Sequence, residues 1–337
     1  MSRFYADAGA ALPAALPDTI SPSLVTLAEI RGAAEAIRGH VHRTPQLVST
    51  YLNRHTGARV SLKAELFQKT GSFKVRGVIN TLLQLTEAER ANGVISLSAG
   101  NHAQALAWGA SHLGIKATIV MPASAVASKI AATREYGGTV VLTSGDLLGT
   151  AQELEREGNL TMVHPFDDRR IVAGSSTVGL EIFEDVPDVD TVIVACGGGG
   201  LLSGVGAAIK QLKPDTRVIG VEPEGANGMQ LSLKAGSAQR VARLDTIADG
   251  LAAPFAGVVN LLHVQAFADE HVLVNDTQIF AGMRVLMERC KLFAEPSAGA
   301  AIAPLLFGLT NISAGESCVP IVCGGNIDLE RLKTLIP

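Results

Sequence analysis

Apolar residues recur along this chain in two alternating rhythms. Short aliphatic runs at 94–97, 117–121, 139–142 and 162–163 are separated by stretches at 101–113, 127–136 and 147–157. In those stretches the apolar positions return every three to four residues. The runs fit strands and the stretches between them fit helices. A second series begins with a strand at 189–195, continues at 218–221 and returns at 321–322. Short apolar strands alternating with helices predict parallel sheets covered on both faces. Ahead of both series, 23–38 carries a helical pattern through Leu24, Leu27, Ile30, Ala34 and Ile37. Pro45 forces an extended stretch at 43–47. A strand at 60–65 then delivers the chain to a turn and a helix at 74–84. The pattern predicts an α/β fold of two lobes, a small one at 85–164 and a large one built from 23–84 and 165–337. The Ala/Pro-rich first 22 residues read as a mobile leader.

Composition narrows the class. A length of 337 residues fits roughly two domains. With 47% hydrophobic and 18% charged residues, a large core can form, which argues against a disordered chain. Abundant glycine (35) beside few aromatics (4%) suits an enzyme with many backbone-built turns. A net charge of −4 gives no reason to expect nucleic acid or an anionic membrane as partner. Cys196, Cys290, Cys318 and Cys323 form no C-x-x-C pair and read as reduced thiols of a cytoplasmic chain. Asp7, Pro13 and Pro17 argue against a secretion signal. The uncharged stretch 191–209 approaches spanning length, but six of its nineteen positions are glycine, so it makes a poor transmembrane helix.

The chemistry-bearing segments lie at turns between these elements. At 69–77, a Gly71-Ser72 turn and Phe73 set Lys74 beside a flat apolar face, with Arg76 a possible source of positive field. Partial desolvation or a nearby cation favours the neutral, nucleophilic amine, which a carbonyl cofactor needs for Schiff-base attachment. Cys196, Gly197, Gly198, Gly199, Gly200 and Leu201 join a strand to a helix start, where bare N–H groups cradle an anion. The spacing misses G-x-G-x-x-G and lacks the P-loop lysine, so a phosphate monoester suits it better than a dinucleotide. Ser98, Ala99, Gly100, Asn101 and His102 also follow a strand and open a helix. Ser98, the amides and His102 could receive a carboxylate, and Asn101 could donate to a phenolic oxygen. Cys323 ends a strand before Gly324-Gly325-Asn326, where a thiol can meet a ring nitrogen. Glu295 to Ala300 reads as a helix cap. Alone, each segment also matches an ordinary turn, glycine bend or cap.

In combination and in order, these segments resemble the fold-type II pyridoxal-phosphate enzymes of the serine/threonine dehydratase and serine racemase family, a tryptophan synthase β-like fold. The likeness covers roughly 24–330 and includes Thr246-Ile247-Ala248-Asp249-Gly250-Leu251. It implies that Lys74 holds the cofactor, with Phe73 beside its ring, Asn101 at the ring hydroxyl, Gly197 to Leu201 at the phosphate and Cys323 at the ring nitrogen. The substrate carboxylate would fall to Ser98, Ala99, Gly100, Asn101 and His102. The implied reaction is elimination of water from a β-hydroxy L-amino acid, threonine and/or serine, to give a 2-oxo acid and ammonia. Racemization, a bulkier β-hydroxy substrate such as phenylserine, and a dinucleotide oxidoreductase are the alternatives. Racemizing relatives carry a serine where Ala99 stands, which favours dehydration. Glu222 and Ala226 resemble part of a divalent-cation site, but Gly228 replaces its usual acidic ligand and leaves that site doubtful. Gly174-Ser175-Ser176-Thr177 departs from the family's G-Q-G-T, a change expected at the pocket or the loop beneath it. No Lys or Arg occurs between Glu135 and Glu155 to meet a second substrate carboxylate. A homodimer is expected by analogy.

Overall fold

The computed structural model of the chain describes residues 24–336, so the leader expected at 1–22 lies outside the described residues. Its strands are β1 (Gln46–Val48), β2 (Arg59–Lys63), β3 (Val94–Leu97), β4 (Ala117–Pro122), β5 (Thr139–Thr143), β6 (Thr161–Met162), β7 (Thr191–Ala195), β8 (Arg217–Pro223), β9 (Glu270–Val274) and β10 (Ser317–Pro320). They form a six-stranded sheet in the order β1-β2-β10-β7-β8-β9 and a four-stranded sheet in the order β5-β4-β3-β6. Every pairing is parallel except β1 with β2. Parallel strands need both faces covered, which explains why β7 reads Thr-Val-Ile-Val-Ala with every residue buried. The stretch 191–209 divides into β7, the glycine bend and helix Gly200–Leu212. Among the described residues no helix is long and apolar enough to cross a membrane.

One long helix, Arg169–Asp185, braces both parts of the site. Where it meets helix Lys74–Leu83, a Cβ on Gly174 would stand 2.6 Å from the Arg76 carbonyl. Against helix Gly200–Leu212, a Cβ on Gly204 would lie 2.7 Å from the Ser176 amide. Glycine lets the backbones approach this closely. Gly174-Ser175-Ser176-Thr177 is therefore a buried helix-crossing segment, not a wall of the pocket: Ser176 Oγ donates to its own helix at the Val172 carbonyl.

The last strand differs from expectation. β10 occupies 317–320, ahead of the expected 321–322. Ser317 and Pro320 hide it in the sequence, since neither favours a central strand. Beyond it Ile321 makes a single bridge to Lys63, and the Cys323 carbonyl accepts from Phe73 N at 3.1 Å. That bond draws the chain off the sheet and toward Lys74.

Candidate active site

The carboxyl ends of β3 and β7 open into one cleft of about 630 Å³ between the sheets. Open parallel sheets place ligands at this end of their strands. Lys74, the tetraglycine bend, Ser98 to His102 and Cys323 all line it, as do Ile247, Asp249, Gly250 and Leu251.

Lys74 is the first residue of helix Lys74–Leu83. One flank faces the open cleft, but its ammonium lies deep enough to be poorly solvated. Burial lowers its pKa to about 8, against the opposing pull of Cys323 and Glu295. Nζ donates to the Pro165 carbonyl at 2.8 Å and stands 5.1 Å from the Phe73 ring centroid. Arg76 takes no part in this field. Its guanidinium is fully buried and paired with Glu65 at 2.8 Å and Glu181 at 2.7 Å, and Glu181 also binds the Lys63 ammonium at 2.7 Å. The charge expected beside Lys74 is spent inside the protein.

The bend at Gly197–Gly200 leads into helix Gly200–Leu212, with Gly199 at φ +99° as its N-cap. Side chains have no room here: a Cβ on Gly198 would meet the Phe166 ring at 2.5 Å, and one on Gly197 would meet Leu251 backbone at 3.0 Å. Asn260 Nδ2 and the Gly257 amide donate to the Gly198 carbonyl at 2.7 and 3.1 Å, fixing the bend from behind. The first amides of the helix, at Gly200, Leu201 and Leu202, have no intrahelical acceptor. They form a small anion cradle at the positive end of the helix dipole.

Gly100 caps helix Asn101–His112. The Asn101 amide is held between two neighbours, donating to Glu295 Oε1 and accepting from Asn326 Nδ2, each at 2.8 Å. The His102 imidazole faces Ser96 Oγ at 3.0 Å and the Val163 carbonyl at 3.1 Å, so Nε2 carries the hydrogen. Burial and then the Lys74 cation push its pKa down to about 3, and the ring is neutral. A carboxylate at this turn would therefore meet backbone N–H groups rather than a charged imidazole.

Sequence reasoning gave Glu295 only a capping role. It is buried in the cleft wall, and burial raises its carboxyl to about 7 despite the Asn101 hydrogen bond. Nearby, burial and Glu295 push the Cys323 thiol up, so it is uncharged. Lys129 and Arg331 also line the cleft, both directed at Asp249 at 3.3 and 4.0 Å. Cations thus reach the cleft from outside the segment 135–155. His164 was missed because a lone histidine gives no signal. Its Nδ1 accepts from the amides of Phe166 and Asp167 at 3.3 and 2.7 Å, shaping the turn that supplies the Pro165 carbonyl and the Phe166 ring.

Pyridoxal phosphate fits these residues. An under-solvated amine, an apolar ring face, a glycine cradle closed to any Cβ and an uncharged thiol share one cleft. A hard divalent cation does not fit at Glu222 and Ala226. Both Glu222 oxygens accept backbone amides, from Met229 at 2.8 Å and Gln230 at 2.9 Å, and Oε2 also faces His271 Nε2 at 3.1 Å. Gly228 adds no side-chain oxygen and its carbonyl accepts from Ser232 Oγ at 2.6 Å, while six or more oxygens are needed.

Residues 37–324 match the model of the family described as pyridoxal-phosphate dependent enzyme. The chain is 41% identical over 317 residues to an L-threonine ammonia-lyase of Thermotoga maritima, covering 93% of this chain and 78% of that protein. It is 39% identical to a catabolic L-threonine dehydratase of Staphylococcus aureus, covering 93% and 92%. Among solved structures, maize serine racemase superposes with a TM-score of 0.88 at 35% identity, covering 93% of this chain and 97% of that one.

Proposed function

The chain belongs to the pyridoxal-phosphate-dependent enzymes, and within that family we propose that it is a dehydratase of the ammonia-lyase type. It converts a β-hydroxy L-amino acid, L-threonine and/or L-serine, to a 2-oxo acid and ammonia by α,β-elimination. The water lost in elimination is regained when the released product is hydrolysed. One observation carries the reading: the Lys74 amine and the glycine cradle face a single cleft, while Ala99 offers no acid or base from its own position.

When bound, the cofactor supplies an electron sink that acidifies the α-carbon of the amino acid attached to it. Lys74 would hold it covalently, Gly197, Gly198, Gly199, Gly200 and Leu201 its phosphate, and Phe73 and Cys323 its ring. An uncharged Cys323 would leave the ring nitrogen unprotonated, a weaker sink suited to elimination. Gly100, Asn101 and His102 receive the substrate carboxylate through their amides, with Ser98 Oγ beside them. Asn101, fixed by Glu295 and Asn326, would offer its amide to the ring hydroxyl. Lys74 Nζ, poorly solvated and so partly neutral near pH 8, takes the α-proton. The β-hydroxyl departs as water.

Residues 23–84 with 165–337 form the large lobe and 85–164 the small one in this reading, and closure between them excludes water. The protein works as a cytoplasmic homodimer. A panel of β-hydroxy amino acids assayed for 2-oxo acid release tests the assignment. Turnover of L-threonine or L-serine supports it. Interconversion of D- and L-serine without 2-oxo acid would make the chain a racemase.

A further inference from the structure

A second cluster of reactive side chains lies behind the glycine bend. Ala195 and Gly197 line the cleft, while Cys196 between them is buried and points elsewhere. Its thiol lies with donor atoms of Glu222 and His271, all within 4.8 Å of one another. His271 extends from β9 into space that Gly220 leaves open, since a Cβ on that glycine would stand 2.6 Å from His271 Nδ1. His271 Nδ1 is buried without a hydrogen-bond partner, and the side chain is only 8% exposed.

We propose that Cys196, Glu222 and His271 form a site for one thiophilic transition-metal ion of the zinc class. The donor set is thiolate, imidazole and carboxylate, which suits zinc and cobalt and not magnesium or calcium. Glu222 Oε2 and His271 Nε2 lie 3.1 Å apart. That is near the edge of a tetrahedron with metal–ligand bonds of about 2.0–2.1 Å. A shift of about 1 Å brings Sγ to the third corner, and water completes the four. The backbone amides of Met229 and Gln230 hold the carboxylate from behind and orient it. On binding, the thiol proton leaves to solvent and the imidazole hydrogen moves from Nε2 to Nδ1. That leaves Nδ1–H buried with no acceptor among the described residues, a cost the metal–nitrogen bond must offset. The same carboxylate that is unsuited to a hard cation thereby gains a role with a softer one.

Cobalt(II) titration of untagged holoenzyme tests the site without relying on turnover. The expected result is about one cobalt per chain with the intense visible absorption of tetrahedral, thiolate-ligated cobalt, bleached by zinc and indifferent to magnesium. Cys196→Ala and His271→Gln should each weaken binding by about 100-fold or more. Cys290→Ser, altering a half-buried thiol elsewhere, should leave the absorption unchanged. Circular dichroism establishes that the variants are folded, and either one suffices if the other is not. Absence of the band in the wild type, its survival in a folded Cys196 or His271 variant, or its displacement by magnesium would overturn the proposal.

Discussion

Glu295 and Lys74 carry the shifted protonation equilibria on which the site depends. Glu295 holds its proton up to about pH 7 in the folded chain, whereas an unfolded glutamate releases it near 4.5. Over that interval the native state binds more protons, so stability falls as pH rises, by a few kcal/mol at about 1.4 kcal/mol per pKa unit. Glu295→Gln keeps an acceptor for Asn101 and should flatten the dependence of Tm on pH between 5 and 8. For Lys74, attachment of added cofactor to cofactor-free protein needs the neutral amine. Its rate should rise about tenfold per pH unit below 8 and level off above. Stopped-flow absorbance across pH 6.5–9.5 would measure this. Lys74 and the glycine bend were legible in the sequence because each is a local turn with recognisable chemistry. Glu295 was not: its role comes from burial opposite Asn101, 194 residues away, and no local pattern encodes that.

Helices and strands were legible where their apolar rhythm was uninterrupted. β3 falls at 94–97 as expected, and helix Lys74–Leu83 ends one residue early. Arg76 was misjudged because a sequence shows that a cation stands two residues from Lys74, not that the helix turns it inward to Glu65 and Glu181. Removing that cation with Arg76→Met would leave a fully buried carboxylate uncompensated. It should cost about 3–5 kcal/mol by urea denaturation, and the accompanying loss of activity should follow the unfolded fraction. The crossing at Gly174 is as sensitive: Gly174→Ala would force a Cβ against two backbone atoms at 2.6 Å. Such overpacking costs about 1–3 kcal/mol and should lower Tm while displacing helix Lys74–Leu83.

At the scale of the whole molecule, two sheets face a shared cleft and a few contacts bridge it. Lys129, in a helix of the four-stranded part, reaches Asp249 in the other at 3.3 Å, and Ser128 donates to Asp328 at 3.1 Å. If these contacts latch a closed form, Lys129→Ala should raise KM for the amino acid more than it lowers kcat. The ion pair is partly exposed, so global stability should change by less than about 1 kcal/mol. The bridge was invisible in the sequence, because pairing across a cleft depends on how the parts meet and not on local spacing. The proposed chemistry rests above all on one amine of this chain holding the cofactor. Borohydride reduction of the holoenzyme, followed by digestion and mass spectrometry, asks which lysine becomes labelled. A phosphopyridoxyl group is expected on Lys74 alone; labelling at Lys69, Lys129 or any other lysine, with Lys74 unmodified, would contradict that role for Lys74.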